Sequence, residues 1–383
     1  MNFSPSKLFD FVRDAYGAIN YSRFMEKRNK AIVPLRYFFE LTHLCNLNCP
    51  YCYVGADRVK NELSTEQWFN IIEQIPFYSF VTLVGGEPLI RPDFCEILDK
   101  VSKKTLGKVN VVTNGVLIDD KIIDAFIKSK MLLLSVSLDG WGENHNINRG
   151  KKGAFEKIIY NLENLKQQCE LRKSNLMVDI KTIILKDNLE DILKLYEYCT
   201  NTGFDYLSIS FLRNNNLKQN AKLYNHFDEI FYKPNYPIEA YFDLEKFEQI
   251  YLEIQKMKKY SKTKLRFSPK FDNENSKKEL ALIKKFFTSY QDKDIKEIYK
   301  PCLYPYSNTI INPSGDVYPC LSYKMGNLKE QSLKEIINNP KYCCFRKNLK
   351  YSKLFSSCQM CCELTPKDIA CYEGRSVLRG TFR

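Results

Sequence analysis

The chain has 383 residues, 44% of them apolar, and a formal net charge of +13 at pH 7. That length exceeds the size at which one hydrophobic core usually stops growing, so we expect one large domain and a smaller one. No run of about 18 apolar residues occurs, which argues against a membrane span, and the lysines lie among acidic neighbours, so no basic face for nucleic acid is expected.

The first 34 residues mix charged and aromatic side chains and lack the continuous apolar stretch of a signal peptide. We interpret residues 1–34 as an N-terminal helical extension and expect a soluble, cytoplasmic protein. Because the cytosol keeps thiols reduced, the 14 cysteines are expected to be metal ligands or buried thiols rather than disulfides.

A predicted strand, "LRYFFELT" at residues 35–42, leads into "CNLNCPYC", which contains Cys45, Cys49 and Cys52. Paired C-x-x-C knuckles would suit a tetrahedral zinc site, but these three cysteines do not form such pairs. A cubic iron–sulfur cluster has four iron corners, each needing one further ligand, so three cysteines leave one iron open. The spacing therefore favours a 4Fe–4S cluster with an open position.

Five further strands are predicted after this loop: "FVTLV", "KVNVV", "LLLSVSL", "LMVDIKTIIL" and "YLSISF". Helical stretches separate them, and the first such helix begins at a capping box of Ser64 and Gln67. Repeated strand–helix units predict a parallel sheet with its chemistry at the C-terminal ends of the strands. There lie "GGEPL" at 85–89, "TNG" at 113–115 and "DGW" at 139–141. Each could be an ordinary turn, but their joint placement on one rim predicts a site.

These motifs resemble the radical SAM superfamily. "CNLNCPYC" is similar to its C-x-x-x-C-x-x-C signature, with an aromatic residue before the last cysteine, and "GGEP" is similar to its loop for the amino group of S-adenosylmethionine. The resemblance covers about residues 35–211. It implies a partial (β/α)6 TIM-like barrel of the α/β class, with a 4Fe–4S cluster on Cys45, Cys49 and Cys52 and S-adenosylmethionine at the open iron.

Cofactor contacts follow from the same resemblance. It implies that Tyr51 packs near the adenine and that Ser137 and Arg149 hold the carboxylate, while Asp139 is a further candidate for a contact. The loop residues expected around the amino group are Gly85, Gly86, Glu87 and Pro88. A guanidinium also suits a bidentate carboxylate contact on physical grounds, although a solvated loop arginine is the alternative.

Several residues near the barrel receive a structural interpretation. His43 and His145 are interpreted as loop residues, because the three cysteines already fill the cluster's protein sites. Cys95, Cys169 and Cys199 lie in helical stretches and are expected to be buried small hydrophobes. Residues 212–300 contain helical segments such as "DLEKFEQIYLEIQKMKKY" and are interpreted as a connector or a substrate-side cover.

The C-terminal region, residues 301–383, is rich in cysteine. Cys302, twelve residues, Gly315, four residues and Cys320 resemble the opening of the SPASM and Twitch extensions, and Cys358 with Cys361 are similar to their later C-x-x-C. The resemblance implies one auxiliary 4Fe–4S cluster, with Cys371 able to replace one of the C-x-x-C pair. The four expected ligands are Cys302, Cys320, Cys358 and Cys361.

A second auxiliary cluster is not expected. The full SPASM pattern would continue six and ten residues after Cys361, where this chain has Lys367 and Cys371, and no final cysteine follows. Cys343, Cys344 and Cys362 are the thiols that could supply a second cluster, although adjacent cysteines rarely share one. A zinc ion at the auxiliary site stays open, because the C-x-x-C spacing suits it.

The resemblance implies an oxidoreductase. It would reductively cleave S-adenosylmethionine to a 5'-deoxyadenosyl radical, abstract hydrogen from an unactivated C–H bond and pass an electron to the auxiliary cluster. A flavodoxin or ferredoxin-type donor is expected. Because the substrate radical would pass an electron to the auxiliary cluster, net oxidation is favoured over isomerisation. The protein would position the target carbon and exclude water.

The expected substrate is a small hydroxylated metabolite of the sugar or aminocyclitol type. Peptide-maturing relatives often have a recognition domain before the barrel, where only about 34 residues stand here. Sulfatase-maturing relatives have an aspartate where this chain has Leu321. The alternative is a SPASM-type peptide or protein maturase, by oxidative cross-linking or epimerisation. A more distant alternative is a non-catalytic iron–sulfur or zinc protein, which would not need the retained cofactor motifs.

Overall fold

A sheet of ten strands organises the computed structural model, which describes residues 12, 15–21, 30–52, 54, 61–211, 243–271, 275–288, 296–320, 323–355, 358 and 361–367. The strands are β1 (Arg36–Glu40), β2 (Phe80–Val84), β3 (Val109–Thr113), β4 (Leu133–Ser137), β5 (Met177–Ile184), β6 (Tyr206–Phe211), β7 (Lys264–Ser268), β8 (Asn308–Ile311), β9 (Asp316–Tyr318) and β10 (Gly326–Asn327). Their order in the sheet is β10-β9-β8-β1-β2-β3-β4-β5-β6-β7.

Helices connect most neighbouring strands. They are α1 (Thr65–Gln74), α2 (Phe94–Thr105), α3 (Asp120–Lys128), α4 (Glu143–Arg149), α5 (Ala154–Leu171), α6 (Asp191–Thr202), α7 (Leu244–Met257), α8 (Ser276–Thr288), α9 (Tyr304–Ser307), α10 (Leu333–Ile337) and α11 (Pro340–Ser352), with a short 3-10 helix at Pro88–Ile90. The predicted capping box is confirmed, since the Ser64 hydroxyl accepts from the backbone N–H of Gln67 and the Gln67 side chain accepts from that of Ser64.

The predicted parallel α/β sheet is confirmed. Each pair of neighbours from β1 to β7 is parallel, as right-handed strand–helix–strand units require. The outer face of the sheet is apolar and packs against helices, as where the rings of Phe39 in β1 and Trp68 in α1 lie 5.3 Å apart. Alternate side chains point to the inner face, which contains the polar residues discussed below.

The sheet continues past the predicted limits of residues 35–211. Strand β7 comes from the segment interpreted as a helical connector and pairs with β6, and β8 comes from the cysteine-rich region and pairs in parallel with β1. Only two buried side chains, Leu265 and Phe267, mark β7, so its alternating pattern is too short to stand out among helical residues. Both flanking regions are therefore joined to the barrel by main-chain hydrogen bonds.

The N-terminal extension is helical at residues 15–21. Asn20 lies in this segment, and its amide group donates to the carbonyls of Ile32 and Tyr306 at 3.0 and 2.7 Å. The extension is thereby tied to the cysteine-rich region. In the described part of the chain, no helix combines the length and apolar character needed to cross a membrane.

Candidate functional site

The cysteine loop follows β1 at the C-terminal end of the strands, and Cys45, Cys49 and Cys52 are half-buried free thiols. Burial raises the pKa of Cys45 and of Cys49, and the nearby Cys52 thiol raises the pKa of both further. Cys52 is thus in electrostatic range of both other thiols, and the three are a donor set that a cationic iron cluster would stabilise as thiolates. The predicted ligands of the first cluster are thus brought together.

The glycine-rich loop after β2 packs directly on the cysteine loop. The backbone N–H of Gly86 donates to the carbonyl of Thr42 at 2.7 Å, and that of Glu87 donates to Leu44 at 2.8 Å. A Cβ atom on Gly85 would lie 2.3 Å from the Thr42 oxygen, and one on Gly86 would lie 2.3 Å from the Leu44 oxygen. The paired glycines are therefore required by the close approach of the two loops.

Replacing Gly86 with alanine should push these loops apart. Overpacking of this kind costs about 1–3 kcal/mol, and we expect S-adenosylmethionine to bind about tenfold more weakly, since 1.4 kcal/mol lies within that range and corresponds to tenfold. Equilibrium dialysis of the reconstituted protein measures the change. Gly17→Ala is the matched control, because a Cβ there meets its nearest neighbours at an ordinary 3.5 Å. Equal affinity in the two variants would contradict the prediction.

Glu87 connects this loop to the "TNG" loop after β3. Its fully buried carboxyl group accepts from the Thr113 hydroxyl at 2.8 Å, the Asn114 backbone N–H at 2.7 Å and the Leu89 backbone N–H at 3.1 Å. Burial raises the pKa of Glu87 to about 7, against the lowering effect of these donors. Glu87 thus positions the "TNG" loop. Pro88, the next residue after Glu87, begins the 3-10 helix.

Asp139 is the centre of a buried network after β4. One of its carboxylate oxygens pairs with the Arg149 guanidinium at 2.6 Å and accepts from the Tyr51 hydroxyl at 2.6 Å, and the other accepts from the Ile183 backbone N–H at 2.7 Å. Asp139 therefore positions Arg149 and Tyr51. Sequence reasoning found all three residues but missed that they bind one another.

Arg149 is the last residue of α4, and its side chain is 13% exposed, so it is not a solvated loop arginine. Its Nη1 lies 3.8 Å from the Cys49 sulfur, and within the described residues its buried Nε has no hydrogen-bond partner. Ser137, the other residue expected at the carboxylate, ends β4 and is half-buried. The Arg149 guanidinium thus faces both the cysteine loop and Asp139.

The interpretation of His145 as a loop residue is corrected. His145 lies in α4, is fully buried, and its Nδ1 accepts from the Asp139 backbone N–H at 3.1 Å. Burial lowers its pKa to about 3, so the ring is neutral. The sequence did not reveal this, because a helix of one to two turns has too little periodicity to recognise. His43 does lie in the cysteine loop, with Nε2 3.4 Å from Glu40.

The cysteine-rich region brings a second set of thiols together. Burial and the neighbouring Cys361 and Cys320 raise the pKa of Cys302, and burial with the same neighbours and Cys302 raises that of Cys358. Cys302 and Cys358 are therefore each in electrostatic range of the other three predicted auxiliary ligands, and these half-buried thiols fit a cationic cluster. Cys371 lies outside the described residues.

Several of the remaining cysteines lie in helices. Cys199 in α6 is fully buried, Cys169 in α5 is 9% exposed and Cys95 in α2 is half-buried, while Cys344 in α11 is exposed. Among the described residues, no three His, Cys, Asp or Glu side chains are gathered tightly enough to hold one metal ion. The thiols of a cluster bind different iron atoms and need not be that close.

Two charged residues on the inner face of the sheet were not predicted from the sequence as site residues. They are Lys181 in β5 and Arg266 in β7, which the strand register aligns with Ser137 and Ser208. The signal was present in "VDIKT", where Asp179 and Lys181 interrupt an apolar strand at alternate positions.

Comparison with known families gives two matches. The profile of the radical SAM superfamily matches residues 39–199, and that of the SPASM iron–sulfur cluster-binding domain matches residues 302–362. The chain is 30% identical to the AdoMet-dependent heme synthase of Methanosarcina barkeri (strain Fusaro / DSM 804), over 84% of this chain and 87% of that protein.

Other similarities are more partial. The chain is 27% identical to the sporulation killing factor maturation protein SkfB of Bacillus subtilis (strain 168), over 45% of this chain and 41% of that protein. Among solved structures, Streptococcus suis SuiB bound to S-adenosylmethionine superposes with a TM-score of 0.61 at 18% identity, over 90% of this chain and 75% of SuiB. That likeness shows the shared fold.

Proposed function

The chain belongs to the radical SAM superfamily and has a C-terminal SPASM domain, and on that premise we propose that it is an oxidative maturase of a peptide substrate. The radical SAM domain implies a 4Fe–4S cluster and S-adenosylmethionine, and the SPASM domain implies auxiliary iron–sulfur clusters. A flavodoxin or ferredoxin-type protein would supply the electron.

The expected sugar or aminocyclitol substrate is not supported, and the alternative of a peptide fits better. The relatives found include the sporulation killing factor maturation protein SkfB and the mycofactocin maturase MftC, and SuiB has been crystallised bound to precursor peptide SuiA. These names describe those proteins, and they support a peptide as the substrate class proposed here.

The observation that carries the proposal is the position of the cysteine-rich region against the inner face of the barrel. The Cys362 thiol, next to Cys361, lies close enough to Lys181 to affect its pKa. On the other side, the ring of Tyr304, two residues after Cys302, stacks on Phe38 of β1 with ring centres 6.4 Å apart. A substrate in the barrel would therefore lie between the two sets of cysteines.

We assign the following roles to the residues of the site. Cys45, Cys49 and Cys52 would hold the first cluster, the Gly85–Gly86 backbone would receive the amino group of S-adenosylmethionine, and Arg149, held by Asp139, would face its carboxylate. When bound, the cluster and S-adenosylmethionine supply a 5'-deoxyadenosyl radical that takes a hydrogen atom from a C–H bond. The barrel wall orients the target carbon and excludes water, and the auxiliary thiols hold the electron acceptor.

A second candidate substrate is an iron porphyrin. It is favoured by the similarity to the heme synthase, which extends over 84% of this chain, whereas the match with SkfB extends over 45%. A match of that length includes the barrel, the intervening segment and the C-terminal region, which together would surround the substrate.

Isotope transfer separates these candidates. Deuterated cell extract is supplied to the reconstituted enzyme with S-adenosylmethionine and a reductant, and deuterium in 5'-deoxyadenosine is measured by mass spectrometry. We expect deuterium transfer that disappears when the extract is first treated with protease. Transfer that survives protease and is reproduced by deuterated iron coproporphyrin III would support the second candidate instead. Transfer from a neutral sugar fraction alone would contradict both.

A further inference from the structure

Lys181 of β5 and Arg266 of β7 lie on the inner face of the barrel, with Ser208 of β6 between them. The register places Ser137, Lys181, Ser208 and Arg266 opposite one another across β4, β5, β6 and β7. Ser137 is the last residue of β4, whereas Lys181 lies three residues before the end of β5 and Arg266 two residues before the end of β7. The two cations therefore line the interior of the barrel, below the loops that follow the strands.

The charges around this row do not balance. Lys181 is in electrostatic range of the cations Arg36 and Arg266, of the Cys362 thiol and of one carboxylate, Asp179. Asp179 is 1% exposed and already accepts from the Ser208 hydroxyl at 2.6 Å and the Ser135 hydroxyl at 3.4 Å. Within the described residues, Lys181, Arg36 and Arg266 thus stand against one carboxylate and one thiol in the surroundings of Lys181.

Neither cation has a salt-bridge partner in the part of the chain that the structure describes. The Arg266 guanidinium stacks on the Tyr206 ring, with its carbon 3.2 Å from the ring centre. Stacking fixes the plane of the guanidinium without using its N–H donors. Burial of Lys181 among protein atoms lowers its pKa. The residue is nevertheless partly exposed, so a ligand could reach it.

Positive charge placed inside a protein without an anion costs free energy, since its hydration is lost without compensation. An arginine that is already oriented and a lysine near it form a suitable pair for an oxyanion, because arginine binds a carboxylate with two parallel hydrogen bonds and lysine adds a point charge. Both residues lie on the inner face of the sheet, where a substrate held in the barrel would lie.

We propose that Lys181 and Arg266 bind a carboxylate group of the substrate inside the barrel. The inference depends on the proposed function in one respect, which is that it identifies the bound ligand as the substrate. An acidic side chain of a peptide and an acid side chain of an iron porphyrin present the same group. Held here, the carboxylate would fix the target carbon between the cysteine loop and the cysteine-rich region.

Binding of acidic probes tests the proposal without turnover. The reconstituted enzyme with S-adenosylmethionine and no reductant is titrated with iron coproporphyrin III and its tetramethyl ester, and with a tetraglutamate peptide and its tetraglutamine counterpart. We expect one acid to bind at least about tenfold more tightly than its neutral partner. Lys181→Met and Arg266→Met should each remove that preference, as expected for loss of a charged hydrogen bond. The acid that binds identifies the source of the carboxylate.

Three further variants keep the test decisive. Lys186→Met changes an exposed lysine just after the same strand and should leave acid binding unchanged. Lys181→Arg and Arg266→Lys preserve the charge and should retain most of the preference even if a methionine variant fails to fold. Equal binding of acids and neutral partners by the wild type, or a preference that survives both methionine variants, would overturn the proposal. Acid-selective binding without any deuterium transfer would overturn only the proposed function.

Discussion

Replacing Cys45, Cys49 and Cys52 together with alanine should abolish formation of 5'-deoxyadenosine. Cys52 lies in electrostatic range of both Cys45 and Cys49 in the loop that packs on the glycine loop, and each thiol would bind a different iron of one cluster. Without them, S-adenosylmethionine has no reduced cluster from which to receive an electron. The measurement is 5'-deoxyadenosine released under anaerobic conditions with dithionite.

Cys95→Ala is the control for this loss, because Cys95 is a half-buried thiol in α2, away from the cysteine loop. It should retain full 5'-deoxyadenosine formation and full iron content. Wild-type amounts of 5'-deoxyadenosine from the triple variant would show that the cysteine loop does not hold the reacting cluster.

The second large effect is expected from replacing Cys358 and Cys361 with alanine. Both belong to the thiol set at the auxiliary site, so the variant should lose about four irons per chain. It should still form 5'-deoxyadenosine, because the cysteine loop is intact. Formation of oxidised substrate should fall at least about a hundredfold, or about 2.7 kcal/mol, because the substrate radical has no acceptor.

Cys344→Ala is the matched control for the auxiliary site. Cys344 is exposed on α11 of the same region and should retain both iron and product. Loss of iron in this variant would instead indicate a second auxiliary cluster. Undiminished oxidation by the Cys358 and Cys361 variant would contradict the role of an electron acceptor.

Much of the fold could be predicted because its signals are local. Strands β1 to β6 are short apolar runs separated by helices with clear spacing, and alternation of that kind specifies a parallel sheet. Strands β7 and β8 could not be placed in this sheet, because their pairing with β6 and β1 joins segments far apart in the sequence. A five-residue strand such as "KLRFS" has little local signal.

In the candidate site, too, local motifs could be predicted and contacts between distant segments could not. The cysteines and "GGEP" were recognisable from spacing, and the close approach of Gly85 and Gly86 to the cysteine loop explains why glycines are needed there. The partners of Asp139 could not be predicted, because Tyr51 and Arg149 reach it only through the fold. Lys181 and Arg266 become neighbours across three strands, which no spacing in the sequence reveals.

The most direct measurement is the content of iron, acid-labile sulfide and zinc per chain after anaerobic reconstitution of the wild type. Two cysteine sets that each hold a 4Fe–4S cluster predict about eight irons, about eight sulfides and no zinc. About four irons with one zinc would contradict this, because a redox-inert zinc ion at the second site cannot accept an electron.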